Sequence, residues 1–255
     1  MRLTGTTVVV TGGSSGIGRA TASLLAQRGA RVAIVGSSPD RVHAAASAVG
    51  GLPLVCDFAD TAAVLALGGT LADGSACAGA VPDMVIHNAG IGLRAPAMGT
   101  DVADIARLFA VNVTAAMTLT AAVLPAMLAR GSGRFAFVGS IAGAVGSAGE
   151  SAYAATKSAV VGYADSLRPE LHGSGIGVTV LLPGVVATDF FQRRGEPYHR
   201  SRPAPVTAER VARGLIRGIE RDADLVTVPA WLRGPIALTA LAPQLYGRLA
   251  GRFGR

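Results

Sequence analysis

The stretch T-T-V-V-V-T-G-G-S-S-G-I-G-R-A, residues 6–20, decides the fold. Its first six residues form a β-branched run that is typical of a buried parallel strand. A glycine-rich turn follows, and then an apolar-periodic segment that ends at Gly29. A strand, a glycine turn and a helix in this order place backbone N–H groups and a helix N-terminus where a pyrophosphate can bind.

Three glycines have separate roles in this interpretation. Gly12 permits the turn, Gly16 lets a phosphate approach the backbone, and Gly18 allows the helix to pack closely on the strand. The alternative is an ordinary glycine-rich connection between a strand and a helix. The flanking elements favour dinucleotide binding over that alternative.

Strand and helix patterns alternate along the rest of the chain. Helices are predicted at 60–71 and 207–221, as a pair at 102–110 and 113–130, and over a segment that contains Tyr153 and Lys157. Apolar runs predict strands at 31–36, 52–56, 83–87, 134–139, 177–182 and 224–228. This order predicts an α/β fold, a single doubly wound (Rossmann) parallel sheet of about seven strands with helices on both faces. It occupies residues 1–229, and residues 230–255 are predicted to add a C-terminal helical extension.

The composition limits the classes of protein that fit. Half of the 255 residues are hydrophobic and 15% are charged, so a large core is available. Cys56 and Cys77 do not make a disulfide framework, which favours a reducing, cytoplasmic setting. The N-terminus is a poor signal peptide, and we expect no membrane span.

The net charge of +7 is carried entirely by residues 193–255, which hold twelve arginines and five acids. No nucleic-acid-binding motif or interleaved aromatics accompany this charge, so we expect no nucleic-acid partner.

A tyrosine and the only lysine of the chain lie one helical turn apart, at Tyr153 and Lys157. The i, i+4 spacing places both side chains on one helix face. An ammonium about 4 Å from a phenol favours the phenolate by roughly 4 kcal/mol, which would bring the pKa of Tyr153 close to neutrality. Such a tyrosine would suit general acid–base catalysis. The alternative is a surface helix with an incidental Tyr and Lys.

Several motifs together resemble the short-chain dehydrogenase/reductase family over residues 3 to about 229. T-G-G-S-S-G-I-G at 11–18 is similar to its cofactor motif, Asn88-Ala89-Gly90 to its N-A-G turn, and P-G-V-V-A-T at 183–188 to its P-G-x-V-x-T motif. The resemblance implies a catalytic set of Asn112, Ser140, Tyr153 and Lys157. It also implies cofactor-binding residues, some of them shared with that set: Gly12, Ser14, Ser15, Gly16, Ile17, Gly18, Ser37, Asp57, Phe58, Asn88, Ala89, Gly90, Tyr153, Lys157, Pro183, Gly184, Val186 and Thr188. No residue is assigned to a metal.

The resemblance also implies roles for the catalytic set. Tyr153 would exchange a proton with the substrate oxygen, and Ser140 would orient that oxygen. Lys157 would lower the pKa of Tyr153 and bind the nicotinamide ribose. Asn112 would hold a water in a proton relay and kink its own helix. The alternatives are that Ser140 merely caps a helix and that Asn112 is an ordinary N-cap.

The cofactor implied is a nicotinamide dinucleotide, with NADP(H) favoured and NAD(H) possible. An NAD enzyme would have an acid at the end of the second strand, where this chain has Gly36. Ser15 and Ser37 occupy the positions where many NADP enzymes of the family have basic residues. Arg19 or Arg41 are the alternatives for binding a 2′-phosphate, unless both are simply solvated.

The segment 188–205, called the lid below, is expected to cover the substrate, which would be a ketone or alcohol. Phe190 and Phe191, with Tyr198, would line a pocket for a bulky apolar substrate, unless the two phenylalanines are core residues of this lid. Glu150 either faces the same cleft or, as is usual for such a glutamate, faces solvent. A different class of function is a redox-sensing protein that holds NADP without turning it over.

The C-terminal extension departs from many tetrameric members of the family. Two short helices divided at Pro243 are predicted, with no charge between Gly234 and Gly247. They are expected to cover the substrate cleft or to form a homodimer or other homo-oligomer. The alternative is peripheral contact of residues 231–252 with an anionic membrane.

Overall fold

A seven-stranded parallel sheet forms the centre of the computed structural model, which describes residues 2–196, 198 and 203–253. Side chains beyond residue 248 lie outside this description. Two further strands of two residues each form a separate small sheet. In chain order the strands are β1 (Thr7–Thr11), β2 (Arg31–Gly36), β3 (Leu52–Val55), β4 (Met84–His87), β5 (Gly133–Val138), β6 (Ile176–Pro183), β7 (Val186–Ala187), β8 (Val206–Thr207) and β9 (Leu225–Val228).

The order of the large sheet is β3-β2-β1-β4-β5-β6-β9, and every neighbouring pair is parallel. The winding direction reverses between β1 and β4, because β1 pairs with β2 on one side and with β4 on the other. This reversal opens a crevice at the carboxyl ends of β1 and β4, which is where doubly wound sheets bind ligands. The predicted fold class is confirmed.

Helices cover both faces of the sheet. They are α1 (Gly16–Gln27), α2 (Pro39–Val49), α3 (Thr61–Ala72), α4 (Val102–Phe109), α5 (Ala115–Arg130), α6 (Ile141–Val145), α7 (Ser151–Glu170), α8 (Phe190–Arg193), α9 (Ala208–Glu220), α10 (Arg233–Leu241) and α11 (Pro243–Phe253). One core cluster joins α1, α2 and α9 to one face, and another joins α3, α5 and α7 to the opposite face. The strands are apolar on both sides for this reason, and all five residues of β1 are buried.

Local signals set the starts of α3 and α9 close to where the sequence predicted them. Asp60 accepts hydrogen bonds from the N–H groups of Ala62 and Ala63 and so caps α3. Thr207 caps α9 in the same way through Arg210 N–H. Each cap satisfies backbone donors that a helix start otherwise leaves unpaired.

The predicted helical pair at 102–110 and 113–130 is wrong in one respect, because the two helices are continuous. A π-helical turn, Ala110–Thr114, joins α4 to α5. The resulting helix of 29 residues, Val102–Arg130, is long and apolar enough to cross a membrane by length and composition, which the sequence analysis did not expect. Half of its apolar window is buried inside the fold, where α5 packs against α3.

The small sheet pairs β7 with β8 and was not predicted. Val186 lies opposite Val206, and Ala187 lies opposite Thr207. The two strands therefore join the ends of the segment 188–205, the predicted substrate cover. Residues 197 and 199–202 of that segment lie outside the described residues.

The C-terminal extension contains the two predicted helices, and Pro243 begins the second. Helix α10 packs against α6, and Ile236 packs against the core of the domain. The side chain of Arg252 lies outside the described residues.

His87, the last residue of β4, is a buried ring in the middle of the sheet. Its Nε2 lies 2.9 Å from Thr120 Oγ1, and its ring stacks on Phe137 with centroids 4.8 Å apart. Burial lowers the pKa of His87 to about 3. This histidine is therefore neutral in the folded protein at ordinary pH.

Acidification from pH 7 to pH 5 is expected to destabilise the fold by about 2 kcal/mol through His87. The unfolded chain binds a proton at this ring below about pH 6.5, whereas the folded protein does so only near pH 3, so unfolding becomes more favourable as pH falls. Urea unfolding of the wild type and of His87→Asn at the two pH values measures the effect. If the variant keeps the full pH dependence, the cause lies elsewhere in the chain.

Candidate active site

The glycine turn between β1 and α1 is held by Asn88, which lies just past β4. The Asn88 Nδ2 donates to the carbonyls of Thr11 (2.9 Å) and Gly12 (3.1 Å). The backbone N–H groups of Asn88 and Ala89 both donate to Thr11 Oγ1 at 3.0 Å. A Cβ at Gly18 would lie 2.3 Å from Gly12 O and 2.4 Å from Asn88 Nδ2, so only glycine fits there.

The turn opens onto a cleft of about 290 Å³ at the N-terminus of α1. Ser15 stands at the N-cap of α1, and Gly16 has a φ of +50°, a conformation that glycine adopts at little cost. A glycine turn, a helix N-terminus and arginine side chains are groups that bind phosphates, so this cleft fits a dinucleotide phosphate. The lining residues are Ser14, Ser15, Gly16, Arg19, Arg41, Ala44, Ala45, Ala48, Asp189 and Arg193.

Other predicted cofactor residues surround the same crevice and differ in exposure. Asp57 is exposed just past β3, where its Oδ1 accepts from Ala59 N–H. The side chains of Phe58 and Val186 are buried in the core. Thr188 Cγ2 lies 3.3 Å from the position of a Cβ on Gly16, which places the start of the lid beside the glycine turn.

Pro183 and Gly184 lead from β6 towards the lid. Gly184 N–H donates to Val228 O at 2.9 Å, which fixes this corner against β9. Ser37 is exposed just beyond β2, whereas Gly36 is buried. A Cβ on Gly36 would lie 3.0 Å from Val42 Cγ2 and 3.1 Å from Ser14 Oγ, so the chain has little room for an acid there.

Ser140, Tyr153 and Lys157 lie together and are all buried. Ser140 Oγ accepts from Ala142 N–H at 3.2 Å and caps α6, so the capping role considered from the sequence is present. Lys157 Nζ donates to Val138 O at 2.9 Å and lies 5.9 Å from the centre of the Tyr153 ring. Helix α6 approaches α7 closely, since a Cβ on Gly143 would lie 2.6 Å from the Lys157 backbone.

The expected low pKa of Tyr153 is not found in this structure. Burial raises the pKa of Tyr153 to about 12, and the Ser140 hydroxyl only partly opposes this effect. Burial also lowers the pKa of Lys157 to about 8. The prediction considered the attraction between the two groups but not the loss of water around them, and desolvation is the larger effect here.

Asn112 lies in the π-helical turn, so its interpretation as a helix N-cap is wrong. Its Oδ1 accepts from Ile91 N–H at 2.8 Å, and its Nδ2 donates to Ile91 O at 2.9 Å and Thr156 Oγ1 at 3.0 Å. The irregular turn directs this side chain inwards, as expected for a kinked helix. A Cβ on Gly90 would lie 3.2 Å from Lys157 Nζ and 3.3 Å from Asn112 Oδ1, so Gly90 lets the three residues meet.

The lid contributes aromatic rings to the site. The Phe190 ring lies 5.7 Å from the Tyr153 ring, and it also lies 5.7 Å from Phe191. Phe191 continues the contact to Tyr198 at 5.5 Å. Phe190 and Phe191 are half-buried, so neither is a fully enclosed core residue.

Glu150 does not face solvent, although exposure to solvent is the usual position of such a glutamate. It is 8% exposed and forms an ion pair with Arg194, which is also 8% exposed. Arg194 lies 4.5 Å from the centre of the Phe191 ring. Arg193 and Arg194 were not predicted as site residues, and the only signal for them in the sequence was two adjacent arginines within the predicted lid.

Comparisons with known proteins find relatives of this chain among sequences and solved structures. The sequence pattern of the short chain dehydrogenase family matches residues 6–199. The chain is 32% identical to the 3-oxoacyl-(acyl-carrier-protein) reductase FabG of Vibrio cholerae, over 83% of this chain and 86% of that protein. It is 36% identical to the ketoacyl reductase HetN of a Nostoc species over 72% of this chain, and covers 65% of that protein. A short-chain dehydrogenase from Sphingobium yanoikuyae in complex with NADPH superposes with a TM-score of 0.84 at 28% identity, covering 96% of this chain and 95% of that one.

Proposed function

Because this chain belongs to the short-chain dehydrogenase/reductase family, whose members are oxidoreductases that act on CH–OH groups with NAD(P), we propose that it transfers hydride between NADP(H) and a bulky apolar ketone or the corresponding secondary alcohol. One observation carries the proposal. Tyr153 and Lys157 are buried beside the crevice at the carboxyl ends of β1 and β4, and an aromatic lid residue, Phe190, contacts the tyrosine.

The proposed chemistry divides between cofactor and protein. The nicotinamide, when bound, supplies the hydride in reduction and takes it back in oxidation. Tyr153 donates its phenolic proton to the substrate oxygen as that oxygen gains charge, and a pKa raised by burial keeps this proton in place before reaction. Ser140 orients the same oxygen by a hydrogen bond.

Lys157 and Asn112 support the proton transfer in this proposal. The Lys157 ammonium, held by Val138 O, stabilises the tyrosinate that remains after the proton has moved. Asn112 is fixed at both ends of its amide by Ile91 and holds the backbone next to Gly90 in place. A water held near Asn112 would complete the relay that returns the proton to Tyr153.

The aromatic lid supports an apolar substrate. Phe190, Phe191 and Tyr198 form a continuous run of ring contacts that begins at Tyr153. Two of the relatives are ketoacyl reductases by name, which supports reduction of a carbonyl as the favoured direction. A redox-sensing protein that binds NADP without turnover is the alternative, and measured turnover separates the two functions.

Tyr153→Phe is expected to abolish turnover and leave cofactor affinity nearly unchanged, because only the proton donor is removed. Lys157→Ala is expected to reduce both the rate and the cofactor affinity. NADPH oxidation with a panel of ketones and a fluorescence titration of the cofactor measure these effects.

Tyr163→Phe is the matched control, since Tyr163 lies on the same helix and is not part of the proposed catalytic set. A Tyr153→Phe enzyme that keeps more than about a tenth of the activity, a loss of only about 1.4 kcal/mol, contradicts the mechanism.

The preference for NADP(H) rests on charge around the adenosine end of the cleft. The chain has no acid at Gly36, and Arg19 and Arg41 both line the cleft next to the glycine turn. A 2′-phosphate would meet cations there, whereas the ribose hydroxyl of NAD would lack an acidic partner.

Ser37→Asp is expected to weaken NADP⁺ binding at least tenfold and to leave NAD⁺ binding unchanged or stronger, because the new carboxylate repels a 2′-phosphate. Ser37 is exposed and accepts this change more readily than the crowded Gly36. Titration of NADP⁺ and NAD⁺ against the wild type and Ser37→Asp measures both affinities, and Ser166→Asp, on the outer face of α7, is the control. A wild-type protein that prefers NAD⁺ contradicts the proposal.

We further propose that the enzyme works in the cytoplasm and that its C-terminal helices pair with a second copy. Helix α10 packs on α6, which follows Ser140, so the extension borders the site. It presents apolar side chains to the outside: Trp231 is 54% exposed, Leu241 86% and Leu245 50%. Such a patch is typical of an interface.

Replacing Leu241 and Leu245 by serine is expected to convert a dimer to a monomer in light scattering, because the apolar contact is lost. Leu65→Ser, an exposed position on α3, is the control. Sedimentation with anionic vesicles at low salt tests the other possibility. Wild-type protein that is monomeric and sediments with the vesicles contradicts pairing and favours peripheral membrane contact.

A further inference from the structure

The cleft at the glycine turn contains a residue that none of the family motifs of this chain includes. Arg193, the last residue of the lid helix α8, lines it together with Arg19 and Arg41. The three arginines come from three separate parts of the chain: α1, α2 and the lid. The folded lid therefore reaches the same space that the glycine turn opens.

The charges in this cleft do not balance within the protein. Arg19 and Arg41 form no salt bridge with any side chain in the described ranges 2–196, 198 and 203–253. Arg193 has one partner, Asp189, at a long 3.8 Å, and both side chains are exposed, 47% and 77%. Such an exposed pair contributes little free energy, so the guanidinium can change partners at low cost.

A phosphate group matches the unbalanced charge. Three guanidinium groups and one carboxylate leave an excess of positive charge beside the Ser14 and Ser15 hydroxyls. Arginine binds phosphate oxygens through paired N–H groups, and these charge-assisted bonds are stronger than neutral ones. The dinucleotide of the proposed function carries phosphates that would lie in this cleft.

Helix α8 links the cleft to the catalytic tyrosine. At one end of its single turn, Phe190 contacts the Tyr153 ring. At the other end, Arg193 faces the cleft, and the next residue, Arg194, is anchored to Glu150 at the start of α7. A ligand that holds Arg193 would therefore also hold Phe190 in place over the tyrosine.

We propose that Arg193 binds a phosphate group of the bound dinucleotide and that this contact holds the lid closed over Tyr153. The inference rests on the proposed function, because it requires a dinucleotide in the cleft. Asp189 competes with the phosphate for the same guanidinium. Arg193 thus makes closure of the substrate pocket depend on the cofactor being bound.

Cofactor titration of charge variants tests the phosphate contact. Arg193→Gln is expected to weaken NADP⁺ binding about tenfold, and Asp189→Asn to strengthen it about threefold because the competing carboxylate is gone. Arg213→Gln, an exposed arginine on α9, is the matched control and is expected to bind as the wild type does. Equal NADP⁺ affinity for Arg193→Gln and Arg213→Gln would overturn the inference.

Fragments of the cofactor identify which phosphate is bound. A contact with the 2′-phosphate weakens adenosine 2′,5′-bisphosphate and NADP⁺ in Arg193→Gln but leaves ADP and NAD⁺ unchanged. A contact with the pyrophosphate weakens ADP, NAD⁺ and NADP⁺ by the same factor. Either pattern supports the phosphate contact.

Hydrogen exchange followed by mass spectrometry tests the coupling to the lid. NADP⁺ at saturating concentration is expected to slow exchange in residues 188–196 of the wild type and of Arg213→Gln, but not of Arg193→Gln. Equal protection in all three proteins would overturn the lid coupling. If the wild type binds neither NADP⁺ nor NAD⁺, the proposed function itself fails, which is distinguishable from a failure of Arg193 alone.

Discussion

The side-chain amide of Asn88 ties the end of β4 to the end of β1, and the rest of the site depends on this tie. It donates to the carbonyls of Thr11 and Gly12, at the point where the sheet changes winding direction. A Cβ at Gly12 would lie 2.8 Å from the Asn88 amide nitrogen, and one at Gly18 would lie 2.4 Å from it. The two glycines and the asparagine therefore form one steric requirement. Without it, neither the turn nor the start of α1 would present N–H groups to a phosphate.

The buried groups behind this turn explain why the site is ready for proton transfer while Tyr153 itself is still neutral. Burial raises the pKa of Tyr153 to about 12, so the phenol is neutral at ordinary pH. Burial lowers the pKa of Lys157 to about 8, so the ammonium is still its main form at neutral pH. Lys157 is held by Val138 O, and Asn112 by Ile91. These contacts fix the positions of the groups before any ligand arrives, and the charge that a ligand develops in the reaction then meets fixed partners.

The sequence predicted the sheet well because each strand is a short apolar run between glycine, proline or polar residues. Predicted strand ends agree with the structure to within about one residue, as for 31–36 and β2. A kink at Asn112 was expected, but not its π-helical form, because that turn is accompanied by bonds to Ile91, 21 residues earlier in the chain. The depth of burial of Tyr153 was missed for the same reason, since desolvation depends on packing between elements that are distant in sequence. Family spacing therefore selected the candidate site residues, while their protonation could be assessed only in the folded structure.

The adjacent arginines of the lid show how similar residues take different roles through burial. Arg194 and Glu150 are both buried, and removing either partner of such a pair would leave an uncompensated charge, which is strongly destabilising. Their pairing therefore ties the end of α8 to the start of the tyrosine-bearing helix. Arg193 is exposed, and its only ion-pair partner among the described residues, Asp189, is at a distance where little energy is at stake. One arginine thus anchors the lid while its neighbour stays available to an anion, which is the arrangement that a ligand-dependent cover requires.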